Sequence, residues 1–245
     1  KDALDHFEAA LQQNPNFEQA LGQIAAIQLS RGEPQQARKR VQEQIEKSPD
    51  NPMFYHLLGR LWMQANEFDQ AERAYKRSLA LNDQLQTSYM YLADLYRRTN
   101  RLDEAIKEYE QLLAKNPKAA SAHMMLGLLA EQQNDVEKAQ NHYRKTLEIS
   151  PTFGPASNNL AWLLAEHGGN LDEALAYAEN ARAQQGDSGP IADTLGWIYY
   201  KKNVPLKAVS LLSEAAKKLP ENPVVRYHLG MALLKKGERG NAKKS

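Results

Sequence analysis

Residues 86–119 read QTSYMYLADLYRRTNRLDEAIKEYEQLLAKNPKA, and this stretch decides the fold. Its first half carries a Leu-small pair, Leu92-Ala93, with Tyr96 three residues on. A polar turn, Arg98-Thr99-Asn100-Arg101-Leu102-Asp103, comes next. Then Ala105 and Tyr109, at i and i+4, mark one face of a second helix, which Pro117 stops. The pattern recurs at a 34-residue period: Pro15 to Pro49 is one interval, Pro49 to Pro117 two, Pro117 to Pro151 one, and Gly186 to Pro220 one. A period of that length marks stacked helical hairpins, each covering the apolar face of the next. The spacing predicts an all-α chain without strands.

Working outward, the Leu-small pair returns as Leu58-Gly59, Leu126-Gly127, Leu160-Ala161, Leu195-Gly196 and Leu229-Gly230. A small residue there lets paired helices approach, because no side chain holds the backbones apart. The second helices open on Ala3, Ala37, Ala71, Ala105, Ala139, Ala174, Ala208 and Ala242. Four residues beyond stand Phe7, Val41, Tyr75, Tyr109, Tyr143, Ala178 and Leu212. Pro34 and Pro205 fall three residues before their alanines, a position suited to the first turn of a helix, where the missing N–H is not needed.

These slots resemble the tetratricopeptide repeat, with its Trp-x-x-Leu-Gly-x-x-Tyr, Ala-x-x-x-Phe and closing Pro elements, over essentially the whole chain. The resemblance implies a right-handed superhelical solenoid of antiparallel helix hairpins. It divides the chain into the second helix of a truncated unit (1–17), complete units at 18–51, 52–85, 86–119, 120–153, 154–188 and 189–222, and a truncated unit at 223–245. The unit from Glu18 has Ala25 and Gln28 where Gly and Tyr are usual, and is expected to pack loosely. Asp83 and Gly186 replace a closing proline, and His167-Gly168-Gly169-Asn170 lengthens one turn by a residue. Both ends read as cut from a longer array, with exposed stacking faces available for self-association.

Composition narrows the function. Among 245 residues, Lys plus Arg number 31 and Asp plus Glu 30, so a net charge of +1 gives no global field for nucleic acid or an anionic membrane. With no cysteine there is neither a disulfide nor a thiolate metal site, and cytoplasm and periplasm stay equally open. No apolar run approaches the roughly 18 residues that span a bilayer, and Lys1-Asp2-Ala3-Leu4-Asp5 lacks a signal peptide's apolar core. The six histidines form no HExxH and no i, i+4 pair, so a metal site would need convergence between helices. Asp103-Glu104 and Asp172-Glu173 open second helices, while Lys217-Lys218, Lys235-Lys236 and Lys243-Lys244 lie near helix C-termini; each charge complements a helix dipole. No catalytic residue, cofactor or metal is expected.

In the family, first helices line the concave surface, where ligands commonly lie. Carried over, the resemblance implies a partner-binding groove of Arg60, Met90, Tyr91, Asp94, Arg97, Met124, Met125, Leu128, Asn158, Asn159, Trp162, Asp193, Trp197, Tyr200, Tyr227 and Met231. Met, Trp and Tyr in such numbers suit a recognition surface. Trp162, Trp197 and Tyr200 are expected to be its strongest part. Asn159 matches an asparagine that contacts peptide backbone in some arrays, whereas the Lys and Asn clamp for chaperone tails is absent. The expected function is a non-catalytic scaffold holding a peptide, extended segment or helix of a protein partner. The Asn-Asn-Leu-Ala-Trp and Asp-Thr-Leu-Gly-Trp segments look like bacterial arrays of cell-envelope or exopolysaccharide export machinery. Alternatives are an array that oligomerises through its ends and a regulatory region of a larger enzyme.

Overall fold

The computed structural model describes residues 2–237. Ala242, Lys243-Lys244 and the end of the truncated final unit lie outside the described residues. Within them the chain forms α-helices and no strand. The helices are α1 (Asp2–Gln13), α2 (Glu18–Ser30), α3 (Pro34–Lys47), α4 (Pro52–Gln64), α5 (Phe68–Leu81), α6 (Gln86–Arg98), α7 (Leu102–Lys115), α8 (Ala120–Gln132), α9 (Val136–Ile149), α10 (Gly154–Glu166), α11 (Leu171–Gln185), α12 (Gly189–Lys201), α13 (Pro205–Lys218) and α14 (Pro223–Lys236). Two compact units result, one ending at Pro117 and one beginning at Lys118.

Local sequence sets the boundaries. Pro34 and Pro205 open α3 and α13, while Pro52 and Pro223 open α4 and α14 behind Asn51 and Asn222. Each of these asparagines accepts a backbone N–H with its side chain, satisfying an otherwise orphaned donor. Hairpin turns close through a residue in the left-handed region: Gly32, Asn66, Asn100, Asn134 and Asn203. In the lengthened turn between α10 and α11 Gly168 takes that conformation, so the extra residue is absorbed in the loop.

In the first unit α2/α3, α4/α5 and α6/α7 form antiparallel hairpins; in the second, α8/α9, α10/α11 and α12/α13 do so. Ala37, Ala71, Ala105, Ala139, Ala174 and Ala208 are fully buried at the hairpin seams. A Cβ on Gly59 would lie 2.6 Å from the Tyr75 ring, and one on Gly127 2.5 Å from the Tyr143 ring, so these glycines are where an aromatic ring presses on a first helix. In α2 the carbonyl oxygen of the Gln28 side chain is buried without a partner, and Gly22 has open space around it.

Candidate functional site

In the first unit the candidate surface is built by α4 and α6, which touch directly. His56 lies buried at its centre. Its Nδ1 is 3.0 Å from Ser88 Oγ, which is 2.9 Å from Ser78 Oγ, which donates to the Pro52 carbonyl at 2.8 Å. A carbonyl cannot donate, so the single Ser78 proton points to Pro52; Ser88 must then donate to Ser78 and accept from His56. The relay therefore fixes His56 as the Nδ1–H tautomer. Burial first, then the Arg60 charge, pushes its pKa down to about 4. Tyr91 is exposed, meets the His56 ring edge-on at 5.1 Å and carries the Arg60 guanidinium 5.6 Å above its ring. Asp94 accepts from Arg97 and Arg98, both at 2.7 Å, so the three side chains form one ion-paired cluster at the surface. Met90 is half-buried.

In the second unit the candidate surface is built on α10, α12 and α14. Trp197 lies flat against His228, and Tyr200 stacks beside it at 4.7 Å and 10°. Trp162 also reaches His228, at 5.6 Å, so the imidazole joins the two indoles. Asp193 holds His228 Nδ1 at 2.9 Å. The Trp197 indole N–H donates to Glu166, which also pairs with Lys201 at 2.7 Å. Burial works to raise the Glu166 pKa, but the hydrogen bonds from Lys201 and Trp197 outweigh it and hold the carboxyl below its usual range. Lys201 sits over Trp197 and Lys235 over Tyr200, cation–π contacts at 5.4 and 4.5 Å.

The expected groove residues divide by exposure. Tyr227 is 60% exposed and Leu128 is also open, while Trp162, Tyr200, Met125, Asn158, Asn159 and Met231 are half-buried. Met124, Asp193 and Trp197 are buried at 7 to 8% exposure, because they face the packed interior or the next first helix rather than solvent. Asn159 spends its amide on the Tyr143 hydroxyl at 3.2 Å, and Tyr143 in turn donates to Glu131. The neighbouring Asn158 keeps a buried side-chain oxygen without a partner.

Lys201 and Lys235 were not among the expected residues, although Lys201 lies at i+4 from Trp197 and so shares its face. His123 and His142 converge within one hairpin, a pairing that their separation in sequence hides. Among the described residues no group of three or more His, Cys, Asp or Glu side chains gathers as metal ligands, and no helix is long and apolar enough to cross a membrane.

Residues 3–157, more than half of the chain, match the model of the cytochrome c-type biogenesis protein H TPR domain. The chain belongs to that TPR family. No curated protein matches this TPR chain. Among solved structures it is similar to a protein described in a functional characterisation of Pseudomonas aeruginosa pilF, with a TM-score of 0.72 and 16% identity over 93% of this chain and 97% of that one. It is similar to PilW, a widely conserved type IV pilus biogenesis factor, with a TM-score of 0.66 and 17% identity over 88% and 98% of the two chains. YrrB, a TPR protein with an unusual peptide-binding site, matches with a TM-score of 0.62 and 22% identity over 80% and 97%. At these identities the likeness establishes the TPR solenoid fold alone. That fold is an interaction scaffold, and it supports a protein or peptide as partner.

Proposed function

We propose that this chain is a non-catalytic scaffold whose first-helix faces hold a segment of a partner polypeptide during c-type cytochrome biogenesis. The observation that carries the binding role is the aromatic face of the second unit. Tyr227 is largely exposed and meets the rings of Trp197 and His228, which half-buried Tyr200 and Trp162 reach in turn. Exposed aromatic rings on a rigid support are the usual anchors of protein recognition. The family supports the setting, and favours it over the exopolysaccharide export suggested by sequence style. Arg60, Met90, Tyr91, Asp94 and Arg97 would form the contact surface of the first unit. Leu128, Met125, Asn158, Trp162, Tyr200, Tyr227 and Met231 would form that of the second, with Met124, Asn159, Asp193 and Trp197 supporting it from beneath. A deletion strain complemented with Trp162→Ala/Tyr227→Ala tests both parts. Haem staining should show c-type cytochromes restored by the wild type and deficient with the variant at equal protein level. Full restoration by the variant would contradict the binding face, and normal cytochromes in the deletion strain would contradict the setting.

Self-association has an observation of its own. Val224, Tyr227 and Leu234 are exposed at i, i+3 and i+10 on α14, with Met231 between them at i+7, and form one apolar stripe. Light scattering across protein concentration distinguishes the readings, since stacking through this stripe raises the mass and binding of a foreign segment does not.

A further inference from the structure

On the first helices α4, α6 and α10, two slots one turn apart hold His56/Arg60, Met90/Asp94 and Asn158/Trp162. On α2 the same slots hold Gly22 and Ala26, so this helix lacks the side chains that the others project. A Cβ added at Gly22 would meet nothing within 4 Å. The missing bulk leaves a trough of about 400 Å³ between α2 and α4, within the size range of clefts that hold ligands. Its floor is apolar, with Ala25 and Leu61 buried and Leu29 and Leu57 half-buried. Gln19, Gln23 and Gln64 stand exposed along the rim, where each amide offers a donor and an acceptor to a polypeptide backbone. Arg60 is the charged residue of the lining, and no Asp or Glu stands in the trough with it. Its guanidinium lies over the Tyr91 ring at 5.6 Å, a contact that supplies no anion. Arg97 and Arg98 share Asp94, whereas Arg60 forms no ion pair among the described residues.

We infer, resting on the scaffold role proposed above, that the trough between α2 and α4 holds an acidic segment of the partner polypeptide, seating an aliphatic side chain on its floor while a neighbouring Asp or Glu side chain pairs with Arg60. Charge complementarity decides the occupant. The apolar floor takes any aliphatic side chain, but the unpaired guanidinium at the wall repels a Lys or Arg beside it and rewards a carboxylate, which its fork of N–H donors matches in geometry. The surface that α4 and α6 continue from the trough carries Arg60, Arg97 and Arg98 against Asp94, so its net charge has the same sign. Selectivity comes from Arg60 and capacity from the absent side chain at Gly22, and the two can be removed separately.

The test titrates the full chain at low salt, by fluorescence anisotropy, into a labelled Ser-Leu-Leu-Glu-Glu-Leu-Leu-Ser peptide with both ends blocked, and into twins carrying Gln or Lys for Glu. The Glu peptide should bind saturably and about fivefold or more tighter than its Gln twin, the scale of an exposed ion pair, with the Lys twin weaker still and the discrimination fading as salt is added. Arg60→Gln should bring the Glu peptide down to the affinity of the Gln twin and leave the twin unchanged. Gly22→Leu places a side chain in open space and should block both peptides without lowering the melting temperature. Absence of saturable binding by the Glu peptide, equal affinities for the three peptides, discrimination that survives Arg60→Gln, or undiminished binding to Gly22→Leu would each overturn the proposal. Binding that appears only when the peptide's C-terminus is a free carboxylate would overturn it too. Haem staining with Trp162→Ala/Tyr227→Ala reads the scaffold role on the other unit, so a deficiency there beside a failure here removes the trough alone.

Discussion

Trp197 lies on His228 with ring centroids 4.1 Å apart and 24° between the planes. The contact joins α12 to α14, and it explains why an indole on the candidate binding surface is only 7% exposed. Trp197→Ala should therefore act first on folding, at a cost of about 3–5 kcal/mol from the lost ring and the cavity it leaves. Tyr227→Ala, at an exposed position, should stay within about 0.5 kcal/mol of the wild type. Urea denaturation of both variants checks the contrast. Equal stabilities would mean that Trp197 is not packed as described.

Gly59 and Gly127 should reject even a methyl group. Their added Cβ atoms would fall 2.6 and 2.5 Å from the rings of Tyr75 and Tyr143, so alanine at either site should cost about 1–3 kcal/mol by overpacking. At Gly22, on α2, nothing lies within 4 Å of the added atom. Gly22→Ala should stabilise by about 0.5–1 kcal/mol through helix propensity. Melting temperatures of the three variants should move in these opposite directions.

His56 makes stability fall in mild acid. Its folded pKa of about 4 lies below the ordinary histidine value of 6.5, so above pH 6.5 the group contributes no pH dependence. Between 6.5 and 4 the unfolded chain takes up a proton that the folded chain refuses, and stability falls. The full loss corresponds to about 3 kcal/mol. Glu72 adds a second loss at lower pH. Although its burial opposes ionisation, hydrogen bonds from Lys76, Arg101 and Tyr96 bring its pKa to about 2, so the stability it confers above 4.5 disappears as pH falls towards 2. Burial first, then the charges of His123 and Lys138, also lowers the His142 pKa to about 4, so this ring loses stability over the same window; His56→Gln should lessen rather than abolish the fall in denaturation midpoint between pH 6.5 and 4 and leave the later loss intact.

The serine relay makes a separate demand on the same imidazole. Nitrogen-15 shifts of His56 should report the Nδ1–H tautomer, since Ser88 can only accept from it. Ser88→Ala should strand that buried N–H and cost about 1–3 kcal/mol. An Nε2–H tautomer in the wild type would break the relay.

The periodic apolar slots made the fold legible. Ala105 and Tyr109 share a face whatever their neighbours, and an alanine flush with a partner helix leaves few alternatives to a hairpin. The candidate surface was less legible because burial on a first helix depends on what the next unit brings. Trp162 and Trp197 occupy corresponding slots, yet Trp197 is covered by the side chains of α14 and Trp162 is only half-covered. Asn159 gives the same lesson, since its amide goes to Tyr143, 16 residues away. His123 and His142 are 19 residues apart on different helices, and only the register of the hairpin brings them together.

The central claim, that first-helix faces hold a partner polypeptide, is tested most directly by site-specific photocrosslinking in the source cells. A photoreactive residue would be placed at Tyr227 on α14, at Tyr91 on α6, and at the exposed Leu206 on the second helix α13. The account predicts a discrete cross-linked partner from Tyr227 and Tyr91, identifiable by mass spectrometry as a component or client of c-type cytochrome biogenesis, and none from Leu206. Cross-links from Leu206 alone, or from Tyr227 only to further copies of this chain, would contradict it.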